Sequence, residues 1–176
     1  RSLVSKQSDI VAVITSDDNS DDGLFAYCVK HNIRVFRGPL DNVLVRYIKA
    51  AGFFKADVIC RVCGDSPFVD IELIDRMFKT QAEEGLDYVA PDKNTCIAGL
   101  DSEVITLSAL RRSAKEATAE EAEHVTLFLK NNKGRFKLRF IDAGLRPNGI
   151  TDIFTIDYRK DLERCVKIAQ FFRKRY

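Results

Sequence analysis

Asp65 stands on Gly64-Asp65-Ser66-Pro67, directly after the apolar run Val58-Ile59-Cys60-Arg61-Val62-Cys63, and Asp157 repeats the arrangement at the end of Phe154-Thr155-Ile156. A strand with little polar alternation reads as buried on both faces of a parallel sheet, and ligands collect beyond the carboxyl ends of such strands. Gly64 permits a sharp turn there and Pro67 stops the strand. Two acids brought to one sheet edge by separate strands suit Mg2+, a hard cation that takes one or two carboxylates and completes its octahedron with water and substrate phosphates. The pair therefore predicts phosphate chemistry. Each acid also has a plain structural use, because either can cap the amides of the helix that follows it.

The remaining polar clusters divide in the same way. His124 lies in Glu120-Glu121-Ala122-Glu123-His124-Val125-Thr126, an acidic stretch opening a helix that could carry a polar site toward the sheet edge, although acids at a helix start need no substrate to explain them. His31, beside Asn32 near a helix carboxyl end, reads as structural. Asp17, Asn19 and Asp21 alternate as in a calcium loop, but the required Gly and closing Glu are out of place, so helix-end stabilisation is the better account. Cys60 and Cys63 have C-x-x-C spacing, yet residues three apart on a strand point to opposite faces, which spoils a metal or redox pair. Cys28, Cys60, Cys63 and Cys165 sit in apolar stretches as reduced core residues, whereas Cys96 lies in a loop.

These residues need a scaffold that presents strand ends, and the chain supplies one. A β-branched run at 10–15, an acidic cap and a helix through Leu24, Tyr27 and Cys28 come first. A short strand at 34–38 follows, then a helix from about Asp41 with Leu44, Tyr47, Ile48 and Ala51 on one face. After the strand leading to Asp65 comes a helix over 71–84, with Ile74, Met77 and Phe78 inward and Gly85 as its stop. Alternation at this spacing argues for a parallel sheet covered by helices on both faces. The second half reads as a strand at 88–90, a loop holding Pro91 and Cys96, a partly acidic stretch at 99–106, helices near 107–114 and 119–131, strands at 136–141 and ending at 154–157, and a last helix from about Tyr158 striped by Leu162, Cys165, Val166, Ala169 and Phe172.

Composition narrows the function classes. A chain of 176 residues with 45% hydrophobic side chains can bury a full single-domain core. Its 28 basic and 26 acidic residues are interspersed to a formal charge of +2, which gives no basic stripe for nucleic acid. No apolar run approaches the roughly 20 residues of a membrane span and no secretory segment opens the chain, so the expected partners include no membrane and the expected compartment is the cytoplasm. The single Met is Met77, so Arg1 is not a translation start, and residues 1–4 read like the tail of a helix already under way.

Taken in order, five segments resemble the cytidylyltransferase family that includes the spore coat polysaccharide biosynthesis protein F group and the synthetases of CMP-activated acidic sugars. They are Val35-Phe36-Arg37-Gly38 with Asp41-Asn42-Val43-Leu44 and Arg46-Tyr47; Arg61-Val62-Cys63-Gly64-Asp65-Ser66-Pro67; Gly99-Leu100-Asp101-Ser102-Glu103-Val104; Glu123-His124-Val125-Thr126; and Thr155-Ile156-Asp157 with Asp161-Leu162. The resemblance implies a three-layer α/β/α nucleotide-diphospho-sugar transferase fold with a mostly parallel sheet, spanning 1–176 as one domain that is incomplete at its amino end. The family's first strand and its glycine-, arginine- and lysine-bearing nucleotide loop have no equivalent after Arg1.

The resemblance further implies an Mg2+-dependent transferase that uses a nucleoside triphosphate, CTP above all, to activate a sugar for a surface polysaccharide or glycan, releasing pyrophosphate. Asp65 and Asp157 then become the catalytic, metal-holding pair. Asp101, Glu103, Glu123 and His124 line the acceptor side, and Arg37, Arg46 and Arg61 meet anionic groups or form surface ion pairs. A homodimer is expected by analogy. The alternative is a non-catalytic sugar- or protein-binding relative of the same fold. A glycosyltransferase on a related fold ranks last, because the place of its Asp-x-Asp motif holds Cys63-Gly64-Asp65.

Overall fold

A computed structural model describes residues 5–144 and 154–173. Its first unit is β-α-β: strand β1 (Val13–Ser16), helix α1 (Asp22–Lys30) and strand β2 (Val35–Gly38), the two strands paired in parallel from Val13 opposite Val35 to Ser16 opposite Gly38. Helix α2 (Val43–Phe54) packs back on both strands, started by Asn42, whose side chain accepts from the Val45 amide at 2.9 Å. Strand β3 (Val58–Arg61) leads through the Asp65 turn to α3 (Ile71–Glu84). Asp70 caps α3 at the Glu72 and Leu73 amides, and Gly85 ends it at φ +58, a left-handed conformation that costs glycine nothing.

Strands β4 (Tyr88–Pro91), β5 (Glu103–Thr106) and β6 (Leu138–Ile141) complete a second sheet of order β3-β5-β4-β6. Strand β5 runs antiparallel to both neighbours, and β4 pairs with β6 in parallel, so three of the four strands share one direction. Alternation along β4 and β5 divides the interior. Tyr88, Ala90 and Ile105 join Leu44 of α2 and the helices α4 (Leu107–Ser113), α5 (Ala119–Glu123) and α6 (Leu127–Asn131), whereas Val89 and Val104 join Leu73, Ile74 and Met77 of α3. Helices thus cover both faces in the three layers that the alternation predicts. No helix among the described residues is long and apolar enough to cross a membrane.

Four expectations are corrected. The helix read over 119–131 is two helices broken at Val125, whose φ of +49 no helix allows. Residues 154–157 form no strand: the Phe154 and Ile156 amides donate to loop carbonyls at Ala98 and Asp65, both at 2.9 Å, and the preceding residues 145–153 lie outside the described ones, as do 1–4. Along the last helix, α7 (Arg159–Arg173), Cys165 is buried but Leu162, Val166 and Phe172 are exposed. Lastly, the cysteines exchange places: loop-borne Cys96 packs into the α3 cluster, while Cys63 is the exposed one.

That exchange has a chemical consequence. Burial pushes the Cys60 thiol up to about 12, although the Ser102 hydroxyl beside it pulls the other way, and burial pushes Cys96 up to about 11. The thiolate is the reactive form, so neither reacts near neutrality. A thiol titration of the native protein is expected to count one accessible cysteine, lost in Cys63→Ser; two or more fast thiols would contradict the packing described.

Candidate active site

The Asp65 turn follows the carboxyl end of β3 and is held by its neighbours. The Ser66 amide donates to the Cys63 carbonyl at 3.1 Å and its buried hydroxyl to Asp65 Oδ1 at 3.1 Å. The Asp65 carbonyl accepts from the Ile156 amide, which places Asp157, one residue on, in the segment adjoining Asp65. Asp157 is exposed, and its Oδ2 accepts from the Thr155 hydroxyl at 2.8 Å. It does not cap α7; Asp161 does, accepting from the Tyr158 amide at 2.9 Å.

A third loop closes on these two. Gly99 has φ +88, and a Cβ there would lie 2.5 Å from the Phe154 carbonyl carbon. Backbone therefore meets backbone where only glycine fits. The same loop turns exposed Asp101 so that its Oδ1 accepts from the Gly99 amide at 3.2 Å, and Phe154 packs edge-on against Phe68 at 6.2 Å between ring centres.

Beneath this rim lies a buried carboxylate. Glu103 opens β5 directly opposite Arg61, the last residue of β3, and accepts from Arg61 Nη1 at 3.0 Å. It also accepts from the Tyr88 hydroxyl at 2.7 Å, from Lys130 Nζ, and from the Thr126 hydroxyl, which lies 3.2 Å from each oxygen. Burial alone raises its pKa, but the Lys130 ammonium, the Tyr88 hydroxyl and Arg61 more than offset this and hold it below the usual carboxylate range. Cys63 is coupled to the same groups: burial raises its thiol and Arg61 opposes, while Asp65, Glu103 and Asp101 raise it further.

The segments that carry Asp65, Asp157 and Asp101 thus adjoin one another through backbone contacts, and Arg61 and Glu103 pair at the two strand ends next to them. Glu123 and His124 are exposed at the end of α5, two or three residues from Thr126. Arg37 and Arg46 are engaged elsewhere. Arg37 grips the acidic loop after β1, through the Ser16 and Asp18 carbonyls at 2.8 and 2.7 Å and Asp22 at 2.7 Å, and Arg46 holds the Pro39 and Leu40 carbonyls at 2.9 and 2.8 Å. They shape the loops at the carboxyl ends of β1 and β2. Within the first loop Asp18 caps the Ser20 amide, and Asp21 accepts from Thr15 and Ser16, whose hydroxyls hold its carboxyl down at about 2. Sequence reasoning passed over Tyr88, Thr126 and Lys130 and placed Cys63 in the core; an aromatic hydroxyl in a fully apolar strand was the one available signal, since such a group needs a buried partner.

Comparison with known proteins agrees with this architecture. The cytidylyltransferase family profile matches residues 1–173. The spore coat polysaccharide biosynthesis protein SpsF of Bacillus subtilis is 35% identical over 171 residues, covering 94% of this chain and 69% of its own length. An uncharacterized protein of Methanocaldococcus jannaschii is also 35% identical over 171 residues, covering 96% of this chain and 69% of its own. A solved cytidylyltransferase from Leptospira borgpetersenii superposes with a TM-score of 0.81 at 28% identity, over 90% of this chain and 68% of that one. CMP:2-keto-3-deoxy-manno-octonic acid synthetase, solved with CTP, shares the fold with a TM-score of 0.60 at 13% identity, over 93% and 83% of the two chains. With an acid-bearing turn after β3, the antiparallel β5 entering opposite it, and a sequence matched along nearly its whole length, this chain belongs to the cytidylyltransferase family.

Proposed function

We propose that the protein transfers CMP from CTP to a hydroxyl of a sugar used in a surface polysaccharide or glycan. The sugar oxygen attacks the α-phosphorus, the bond from that phosphorus to the bridging oxygen breaks, pyrophosphate leaves, and the hydroxyl proton passes to solvent. The observation carrying this reading is the Ile156-to-Asp65 backbone bond, which sets the segments bearing Asp65 and Asp157 side by side.

No group of three or more His, Cys, Asp or Glu is arranged for a metal among the described residues, and Mg2+ does not require one, because one or two carboxylates plus phosphate oxygens and water suffice. Asp65 and Asp157 fit that role, and Mg2+ held there would neutralise charge on the phosphates. The chain's own contribution is placement: the Gly99 contact fixes the Asp157 segment, Ser66 orients Asp65, and exposed Asp101, Glu123 and His124 remain for acceptor hydroxyls. Glu103 and Arg61 act from beneath. The reading includes a soluble dimer working on small substrates.

The test is pyrophosphate release by the full-length protein with Mg2+, each of four nucleoside triphosphates, and a panel of acidic and neutral sugars. Release with CTP is expected, and Asp65→Ala is expected to lower it by roughly 100-fold or more. If no combination released pyrophosphate while the folded protein bound a sugar or a protein partner, the catalytic reading would give way to a binding role.

A further inference from the structure

Val125 is a buried β-branched residue at φ +49, a conformation in which such residues are outliers, and the neighbouring Thr126 amide reaches back to the His124 carbonyl at 2.5 Å. Strain of this kind persists only where the surroundings over-determine it. Here the over-determining contact is visible. The Thr126 hydroxyl, 2% exposed as a residue, donates to Glu103, which is fixed in turn by Arg61, Tyr88 and Lys130. On the other side of the strained residue, His124 and Glu123 are exposed.

We propose that Thr126 and Glu103 form a latch that locks the Val125 turn and so positions the Glu123–His124 pair beside the Asp65 rim. Neither latch residue touches substrate; both are positioning residues. Glu103 ties the turn to the last residue of β3, four residues before Asp65, so one carboxylate sets the spacing of two walls of the site. The consequence for turnover rests on the transferase reading, whereas the latch itself does not.

The chain has two histidines, and loss of one set of imidazole signals in His31→Gln assigns the other to His124 in a nitrogen-proton NMR spectrum. Thr126→Val, which keeps the branched shape and removes the donor, is expected to move or broaden the His124 signals and leave His31 in place, and Thr126→Ser is expected to restore them. Thr126→Ala covers the case in which Thr126→Val does not fold and must give the same displacement. In the full-length protein kcat/KM for the sugar is expected to fall about tenfold or more in Thr126→Val and to recover in Thr126→Ser. Unmoved His124 signals in both Thr126→Val and Thr126→Ala would overturn the latch. Moved signals with unaltered kcat/KM would overturn its positioning role. If the parent protein released no pyrophosphate, the transferase reading alone would fall, and the imidazole signals would still decide the latch.

Discussion

Gly99→Ala is expected to lower stability by about 3 kcal/mol, combining the cost of a side chain in the left-handed region with that of overpacking. A Cβ at this position would meet the Phe154 carbonyl carbon at 2.5 Å, its oxygen at 2.8 Å and the Thr155 amide nitrogen at 2.8 Å, all of them backbone atoms that cannot rotate away. Relief therefore requires the 154–157 segment to lift from the loop, and the bonds from Phe154 to Ala98 and from Ile156 to Asp65 are stretched in the process. Asp157 moves with the segment, so activity is expected to fall further than stability. Urea unfolding with Gly85→Ala as a control, where φ is also left-handed at +58 but a Cβ meets nothing within 4 Å, isolates the clash. Equal stability of the two variants would mean that the loop and the 154–157 segment are not in contact.

Glu103→Ala has the second large effect. One carboxylate offsets Arg61 and Lys130, whose side chains are 25% and 35% exposed, and its removal strands both cations beside the orphaned Tyr88 and Thr126 hydroxyls. Breaking a buried pair from one side costs about 3–5 kcal/mol; partial solvation of the two cations places this case at the lower end. The pH dependence has a definite sign. Because the folded pKa of Glu103 lies below its ordinary 4.5, the stability it contributes is present above that value and is lost as pH falls through the lowered one. Urea midpoints measured from neutral pH downward are expected to decline less steeply through that window in Glu103→Gln than in the parent. Parallel declines would remove Glu103 from the account.

The legible parts of the fold were those whose causes are local. Helix α3 could be bounded from its apolar stripe and the Gly85 stop, and the Asp65 turn from an apolar run ending in Gly-Asp-Ser-Pro. What stayed hidden depends on distant partners. The bonds of Glu103 span 15 to 42 residues, and nothing near Glu103 in the chain announces them. Residues 154–157 have the composition of a strand, but their amides find loop carbonyls instead of a neighbouring strand. The break at Val125 carries no glycine to mark it, because its conformation is imposed from outside by Thr126 and Glu103. Cys63 and Cys96 changed places for the same reason: exposure was settled by which loop folded over which strand end.

The antiparallel course of β5 also frees the site to diversify. Strands β4 and β5 are adjacent and opposed, and a two-residue hairpin is enough to join such strands. The chain instead spends residues 92–102 on the connection, starting from the carboxyl end of β4 and returning at the amino end of β5, beside the Asp65 turn. Most of that length is surplus to topology. Descendants of this scaffold can lengthen, shorten or rewrite the excursion around its Gly99 and Cys96 contacts while strand order and the Arg61–Glu103 register stay fixed, so the surface beside the Asp65 turn can change without renegotiating the fold.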